Sequence, residues 1–272
     1  MSLLQTVFWR IYCFYTLKSP DQSEKALDRV STGVKGLDEL LGGGFPEGKC
    51  ILVVGSPGSG KTTFAIQYLY SGALQGEAGL YVTLDEYPDA IKQNFQSYNW
   101  DLDSVEKKGR LLFLDASGLR RTRIKNNGPH ALFSSDSSEG SGFNDVLKTL
   151  TKLVEGENVE RIALDPITSI MLRYGEEVKR RRATVEFFDA LADTGCTSIV
   201  TSELKTSLLD RRFQLEEFLS HGVVVLHTLM HQGNFVRAVQ VEKMRGIAHD
   251  TQIRPYQFGT SGIEVFPRDK VF

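Results

Sequence analysis

The sequence predicts an α/β fold: a mostly parallel sheet with helices on both faces and an antiparallel extension at its C-terminal end. Three observations predict it. Five short runs, Cys50–Val54, Leu80–Leu84, Leu111–Leu114, Ile162–Leu164 and Ser198–Val200, are rich in Val, Ile and Leu with almost no alternation, and helical patterns separate them. Strands of that kind are buried on both faces, as in a parallel sheet with helical crossovers. After Ser202 the strand-like runs Gly222–His227, Phe235–Lys243 and Ile263–Phe266 are separated by turns such as His231-Gln232-Gly233-Asn234, which is antiparallel chemistry. The 272 residues, 41% apolar and 24% charged, suffice for one large α/β domain or two small ones with a proper core.

Along the chain, the first feature is Leu3–Leu17, a dense apolar and aromatic run. It is shorter than the roughly 20 residues of a membrane span and carries Arg10 at its centre, so no integral membrane association is expected. It also lacks the charged start and small-residue cleavage site of a secretory signal. It reads as an extra packing segment, an upstream start, or a peripheral membrane or partner contact. Ser19-Pro20-Asp21-Gln22-Ser23 interrupts the pattern, so residues 1–28 are expected to lie outside a core running from Arg29 to Phe272. Between Ser117 and Phe143 lies a stretch dense in Gly, Ser, Asn and Arg, expected to be a long loop.

The charge balance, 32 basic against 34 acidic residues, excludes a chain held to nucleic acid or anionic membrane by bulk charge alone. Cys13, Cys50 and Cys196 are odd in number, far apart and in no CxxC pattern. They read as reduced thiols of a cytoplasmic protein, not as a metal site or a disulfide framework.

The strongest motif is Gly55-Ser56-Pro57-Gly58-Ser59-Gly60-Lys61-Thr62, followed by Thr63. It matches G-x-x-x-x-G-K-[ST] in full, directly after the strand CILVV and at the start of the helical run TTFAIQYLY. Glycines at these places let backbone N–H groups turn inward around phosphate oxygens, with the positive end of the next helix behind them. Lys61 is expected to bridge the β- and γ-phosphates and Thr62 to hold Mg²⁺. A plain strand-to-helix turn would need neither residue.

A P-loop also needs a carboxylate at the end of a neighbouring strand. Arg161-Ile162-Ala163-Leu164-Asp165 supplies one, and Leu111–Asp115 has the same shape, so Asp165 and Asp115 both qualify on pattern. Tyr81-Val82-Thr83-Leu84-Asp85-Glu86 sets two adjacent carboxylates at a strand's C-terminal end, either water-orienting groups or a solvated turn into Pro88. Lys243 and Arg245 are alternate residues of a strand and share a face, which on spacing alone reads as an edge-strand charge pair.

The order STGVKGLDELLGGGFPEGKCILVVGSPGSGKTT, YVTLDEYPDAIKQNFQSYNWDL, RLLFLDAS, RIALDPITSI, EEFLSHGVVVLH and VEKMRGIAHD resembles the KaiC family of RecA-like ATPases from about Arg29 to Pro267. The resemblance implies a RecA-like P-loop core binding ATP and Mg²⁺ at the subunit interfaces of a homo-oligomeric ring, commonly a hexamer. It implies Asp165 as the metal-positioning carboxylate, with Pro166 where the family often has Ser. It implies Asp85 and Glu86 as the pair acting on the attacking water, with Asp85 where the family more often has Glu. Lys243-Met244-Arg245-Gly246 would reach the neighbour's γ-phosphate, with His249 at a nucleotide-contacting position.

The function expected is an Mg²⁺-dependent, oligomeric ATPase whose nucleotide state switches an unidentified protein partner. Two alternatives stand beside it. One is a nucleotide-sensing regulator with little hydrolysis, motivated by Asp85. The other is a recombination-type ATPase on single-stranded DNA, with Lys179–Arg182 and Arg120–Arg123 as basic surfaces that lack interleaved aromatics.

Overall fold

The computed structural model describes residues 27–120, 141–172, 174–204, 214–231 and 233–271. The apolar run Leu3–Leu17, the Gly/Ser-rich part of the long central stretch and Arg121–Arg123 lie outside the described residues.

A nine-stranded sheet organises the chain. Its parallel part is β3 (Cys50–Gly55), β4 (Ala78–Thr83), β5 (Leu111–Asp115), β6 (Val159–Asp165), β7 (Thr197–Glu203) and β8 (Gly222–His231). Antiparallel β9 (Asn234–Met244), β10 (Arg254–Gly259) and β11 (Gly262–Val265) extend it, giving the order β11-β10-β9-β8-β3-β7-β6-β4-β5. Two further short strands, β1 (Arg29–Val30) and β2 (Phe45–Pro46), pair with each other. The strand β10 is absent from the sequence reading, because Pro255 interrupts an already short run. Only Arg254 and Pro255 pair with β9, whereas four residues pair with β11, the arrangement a proline near a strand's start permits.

Successive side chains of the central strands enter different cores. Ile51, Val53, Tyr81, Ala163 and Ile199 pack under α1 (Leu37–Leu40), α2 (Lys61–Gln75), α3 (Pro88–Asn94) and α4 (Leu102–Lys107). Leu52, Val54, Leu80, Val82, Ile162, Leu164 and Val200 pack against the opposite layer, which includes α5 (Ser141–Glu157) and α7 (Glu177–Asp193). Both faces being covered is why these runs show no polar alternation. The described ends of the stretch expected as a long loop are helical: Ser117–Arg120 is a 3₁₀ turn and α5 begins at Ser141. The short α6 (Thr168–Met171) and α8 (Leu215–Leu219) complete the helices among the described residues. None of these helices is long and apolar enough to cross a membrane.

Two buried polar contacts fix α2, the helix that carries the phosphate motif. Gln67 donates to Gly33 O (2.8 Å) and Ile263 O (3.1 Å) and accepts from Ile263 N (2.6 Å), which ties the helix to β11. At its far end, Arg161 is 1% exposed, ion-paired with Glu77, and donates to Ser31 O and Tyr68 O. A Cβ on Gly72 would lie 2.5 Å from Arg161 Nε, so the helix needs a glycine where it crosses this guanidinium.

Candidate nucleotide site

The fully buried β3 delivers the chain to Gly55, and the loop turns back at Gly58 (φ 76°) and Gly60 (φ 93°) before α2 begins at Lys61. Gly60 also needs its missing side chain, since a Cβ there would lie 2.5 Å from the Phe258 ring. The Tyr256 hydroxyl donates to Ser59 O at 2.5 Å, so the β10–β11 hairpin braces the loop from outside. Above the loop opens a cleft of about 300 Å³ lined by Gly58, Gly60, Lys61, Thr62, Thr63, Tyr98 and Phe258. Loop amides and a helix N-terminus facing such a cleft form an anion cradle.

Lys61 Nζ donates to Gly55 O (2.9 Å) and Ser56 O (3.1 Å), folded back on its own loop. Burial lowers its pKa, opposed by the nearby carboxylates of Asp165 and Glu203. Glu203 pairs with Gly55 across β7 and β3.

Asp165 ends β6, two strands from β3, and is 8% exposed. Its Oδ2 accepts the hydroxyls of Thr62 and Tyr81, both at 2.7 Å, and its Oδ1 accepts that of Thr201. Burial pushes the Tyr81 phenol pKa well above its ordinary value, and the Asp165 charge pushes it the same way. Tyr81 therefore keeps its proton and donates it to Asp165. Asp115 sits on the sheet edge and accepts from Ser117 N (2.9 Å) and Ser117 Oγ (2.6 Å), a local turn contact. Only Asp165 among these two meets Thr62. An alcohol and a carboxylate in mutual contact beneath an anion cradle are hard oxygen donors, and they fit Mg²⁺.

Asp85 and Glu86 follow β4, next to β6, with Thr83 level with Asp165. Asp85 Oδ1 accepts the Ser169 hydroxyl, and Glu86, exposed, accepts from Asn94 Nδ2 at 3.2 Å. Both carboxylates therefore follow a strand that ends beside Asp165 at the sheet's C-terminal edge.

The fold brings Gly55–Thr63, Asp165, Asp85 and Glu86 to one edge, but not Lys243, Arg245 and His249. Lys243 is level with Val223, and Arg245 N donates to His221 O, whose own N–H donates to Cys50 O. Arg245 thus sits level with the start of β3, about 17 Å along the sheet from Gly55 at 3.3 Å per residue. Lys243 Nζ donates to Glu217 O and Ser220 O, and Arg245 Nη2 to Phe218 O. Burial lowers the Lys243 pKa, and the Arg245 charge lowers it further. His249 lies in the following turn, with Nδ1 3.4 Å from Ile247 O. The pair is therefore a tethered cationic group facing away from its own P-loop.

Sequence reasoning missed Tyr81, Thr201, Ser169, Tyr98, Phe258 and Glu203. The available signal was a hydroxyl inside an otherwise apolar buried strand, as at Tyr81 and Thr201. No spacing rule marks Tyr98 or Phe258.

Comparison with known proteins agrees with this geometry. A family model described as the KaiC ATPase matches residues 30–270. A UPF0273 protein of Pyrococcus horikoshii is 32% identical over 245 residues, covering 89% of this chain and 95% of that protein. The circadian clock oscillator protein KaiC of Picosynechococcus is also 32% identical, over 89% of this chain but 45% of its own length. The crystal structure of a KaiC-like protein from P. horikoshii superposes with a TM-score of 0.75 at 33% identity, covering 89% of this chain and all of the other. Motif order, sheet topology and these matches converge: the chain belongs to the KaiC ATPase family.

Proposed function

We propose that the protein is a cytoplasmic, Mg²⁺-dependent ATPase that works as a homo-oligomeric ring of six copies and passes its nucleotide state to a protein partner. One observation carries the reading. The P-loop and Asp165 converge at one sheet edge, while the cation pair Lys243/Arg245 faces the other, so the pair suits only a neighbour's nucleotide.

In this mechanism the loop amides of Gly55–Gly60 and Lys61 neutralise phosphate charge, with Lys61 leaving its own carbonyls to do so. Thr62 and Asp165 would hold Mg²⁺, which supplies further charge neutralisation on the phosphates. Asp85 and Glu86 orient the attacking water. Arg245 and Lys243 of an adjacent copy, with His249, complete the charge stabilisation, a role for which arginine fingers contribute on the order of 10³–10⁵ in rate. Tyr98 and Phe258 beside Thr63 offer an aromatic slot for the adenine ring.

Phosphate release measured across a protein dilution series, with Mg²⁺ and with EDTA, tests this. Turnover per copy should rise with assembly and vanish in EDTA; a turnover independent of concentration through the dissociation range sinks the cross-subunit role.

The sensor reading has one observation in its favour. The Ser169 hydroxyl occupies Asp85 Oδ1, leaving Glu86 as the exposed member of the pair. Tight ATP binding with equal, negligible phosphate release in wild type, Asp85→Asn and Glu86→Gln supports it instead. Single-stranded DNA binding ranks last, because Lys179 pairs with Glu176 and Arg182 with Glu186 within the basic run.

A further inference from the structure

The two cations proposed to act on a neighbour share one support, and the chain builds that support with unusual care. All three carbonyls they grip, those of Glu217, Phe218 and Ser220, belong to the C-terminal turn of α8 and its cap. Carbonyls there lack intrahelical donors and carry the negative end of the helix dipole. They offset a real conflict. Lys243 and Arg245 are neighbours of like charge, and Lys49 lies close enough that, after burial, it and both of them lower the pKa of His221 beside Cys50. Untethered, such side chains would splay apart into solvent.

A helix of five residues does not hold itself together. Its other end is locked from two directions. Gln214 N donates to Glu217 Oε1 (3.2 Å), closing the first turn, and Gln214 Nε2 donates to Glu203 O (2.9 Å) at the end of β7. Ser202 Oγ donates to Glu216 Oε1 at 3.2 Å. Glu216 and Glu217 are 7% and 3% exposed. Burying two carboxyl groups on so short a helix is costly unless they are hydrogen-bonded, and Ser202 Oγ and Gln214 N supply those bonds. The Gln214 side chain thus ties the start of α8 to the end of β7, level with the P-loop, while the carbonyls at the helix's other end hold the cation pair.

We propose that Gln214 and Glu217 are positioning residues for Lys243 and Arg245, acting in the copy that lends the cations and not in the copy that holds the nucleotide. This rests on the cross-subunit reading above. It differs from a folding role because its effect belongs to one side of the interface only.

Complementation tests it. Lys61→Ala copies keep the cations and lose the P-loop lysine; Arg245→Ala copies do the reverse. Co-expressed and co-assembled, the two should restore phosphate release that neither has alone. Gln214→Ala or Glu217→Ala added to the Lys61→Ala copy should cut the restored kcat at least tenfold with the KM for ATP unchanged. Added to the Arg245→Ala copy, the same change should leave it within twofold. Glu217→Gln, which keeps an acceptor for Gln214 N–H, should recover most of the loss. Equal loss on both sides, or a lowered melting temperature that tracks it, assigns the residues to folding and overturns the proposal. No loss on either side overturns it as well. Failure of Lys61→Ala and Arg245→Ala to complement, with wild type active, overturns the cross-subunit reading itself and the proposal with it.

Discussion

The Thr62 hydroxyl donates to Asp165 Oδ2 at 2.7 Å, joining residues 103 positions apart in the chain. This contact welds the first turn of the P-loop helix to the end of a strand two places away. It also sets two hard oxygen donors side by side, a pairing that fits a divalent cation. Asp165→Asn keeps the shape and removes the charge. It should lower kcat at least a hundredfold and abolish the Mg²⁺ dependence of phosphate release, read by titrating Mg²⁺ into ATP-saturated protein. Asp165→Ala should in addition lose about 1–3 kcal/mol of stability, because three hydroxyls lose their buried acceptor.

Phe258 and Tyr98 line the same cleft as Lys61 and Thr62, and the proposed function gives them the adenine ring to stack on. Phe258→Ala should weaken ATP binding about tenfold, since stacking on one aromatic ring is worth roughly 1–3 kcal/mol. Binding of inorganic tripolyphosphate should not change. Isothermal titration with both ligands checks this, and equal weakening of the two would remove the base-stacking role.

Gly72 carries no chemistry, yet a methyl group there would overlap the buried Arg161 guanidinium. Gly72→Ala should destabilise the fold by about 1–3 kcal/mol through overpacking, although alanine is the better helix former. Urea unfolding measures it. ATP affinity of the remaining folded protein should stay unchanged.

His221 Nδ1 accepts the Cys50 N–H at 3.3 Å. Its pKa lies below the ordinary 6.5, first through burial and then through the charges of Lys49, Arg245 and Lys243. The folded protein therefore binds this proton more weakly than the unfolded chain does. Its contribution to stability is full above pH 6.5 and declines as pH falls below it, because unfolding then takes up the proton. The melting temperature should drop on acidification from pH 7 to 5. In His221→Gln, which retains an acceptor for Cys50 N–H, this part of the drop should disappear.

Much of the site was legible in sequence because its chemistry is local. The residues from Gly55 to Thr62 are contiguous; Gly58 and Gly60 sit at positive φ, and a Cβ on Gly55 would collide with Ser59 and Leu226 O. Five of the six parallel strands were legible because burial on both faces leaves no polar alternation; the sixth, β8, read as part of the antiparallel extension, yet it pairs parallel with β3 and antiparallel only with β9. Strand β10 was not legible, since Pro255 and two-residue pairing with β9 leave little periodicity to read. Tyr81 and Thr201 were not, since a hydroxyl in a buried strand gains a role only when Asp165 ends the strand between β4 and β7.

What the sequence determined by itself was the fold class, the P-loop and the strand-end position of every carboxylate considered for the site. Those follow from spacing along one chain segment at a time. Tertiary structure showed that Asp165, which the family resemblance also favours, meets Thr62 and Asp115 does not: the two patterns are alike, and only strand order separates them. It also decided that Lys243 and Arg245 face away from their own P-loop. The antiparallel return of β9 carries its C-terminal end back to the start of β3, and direction across a sheet is a property of pairing, which no local pattern encodes.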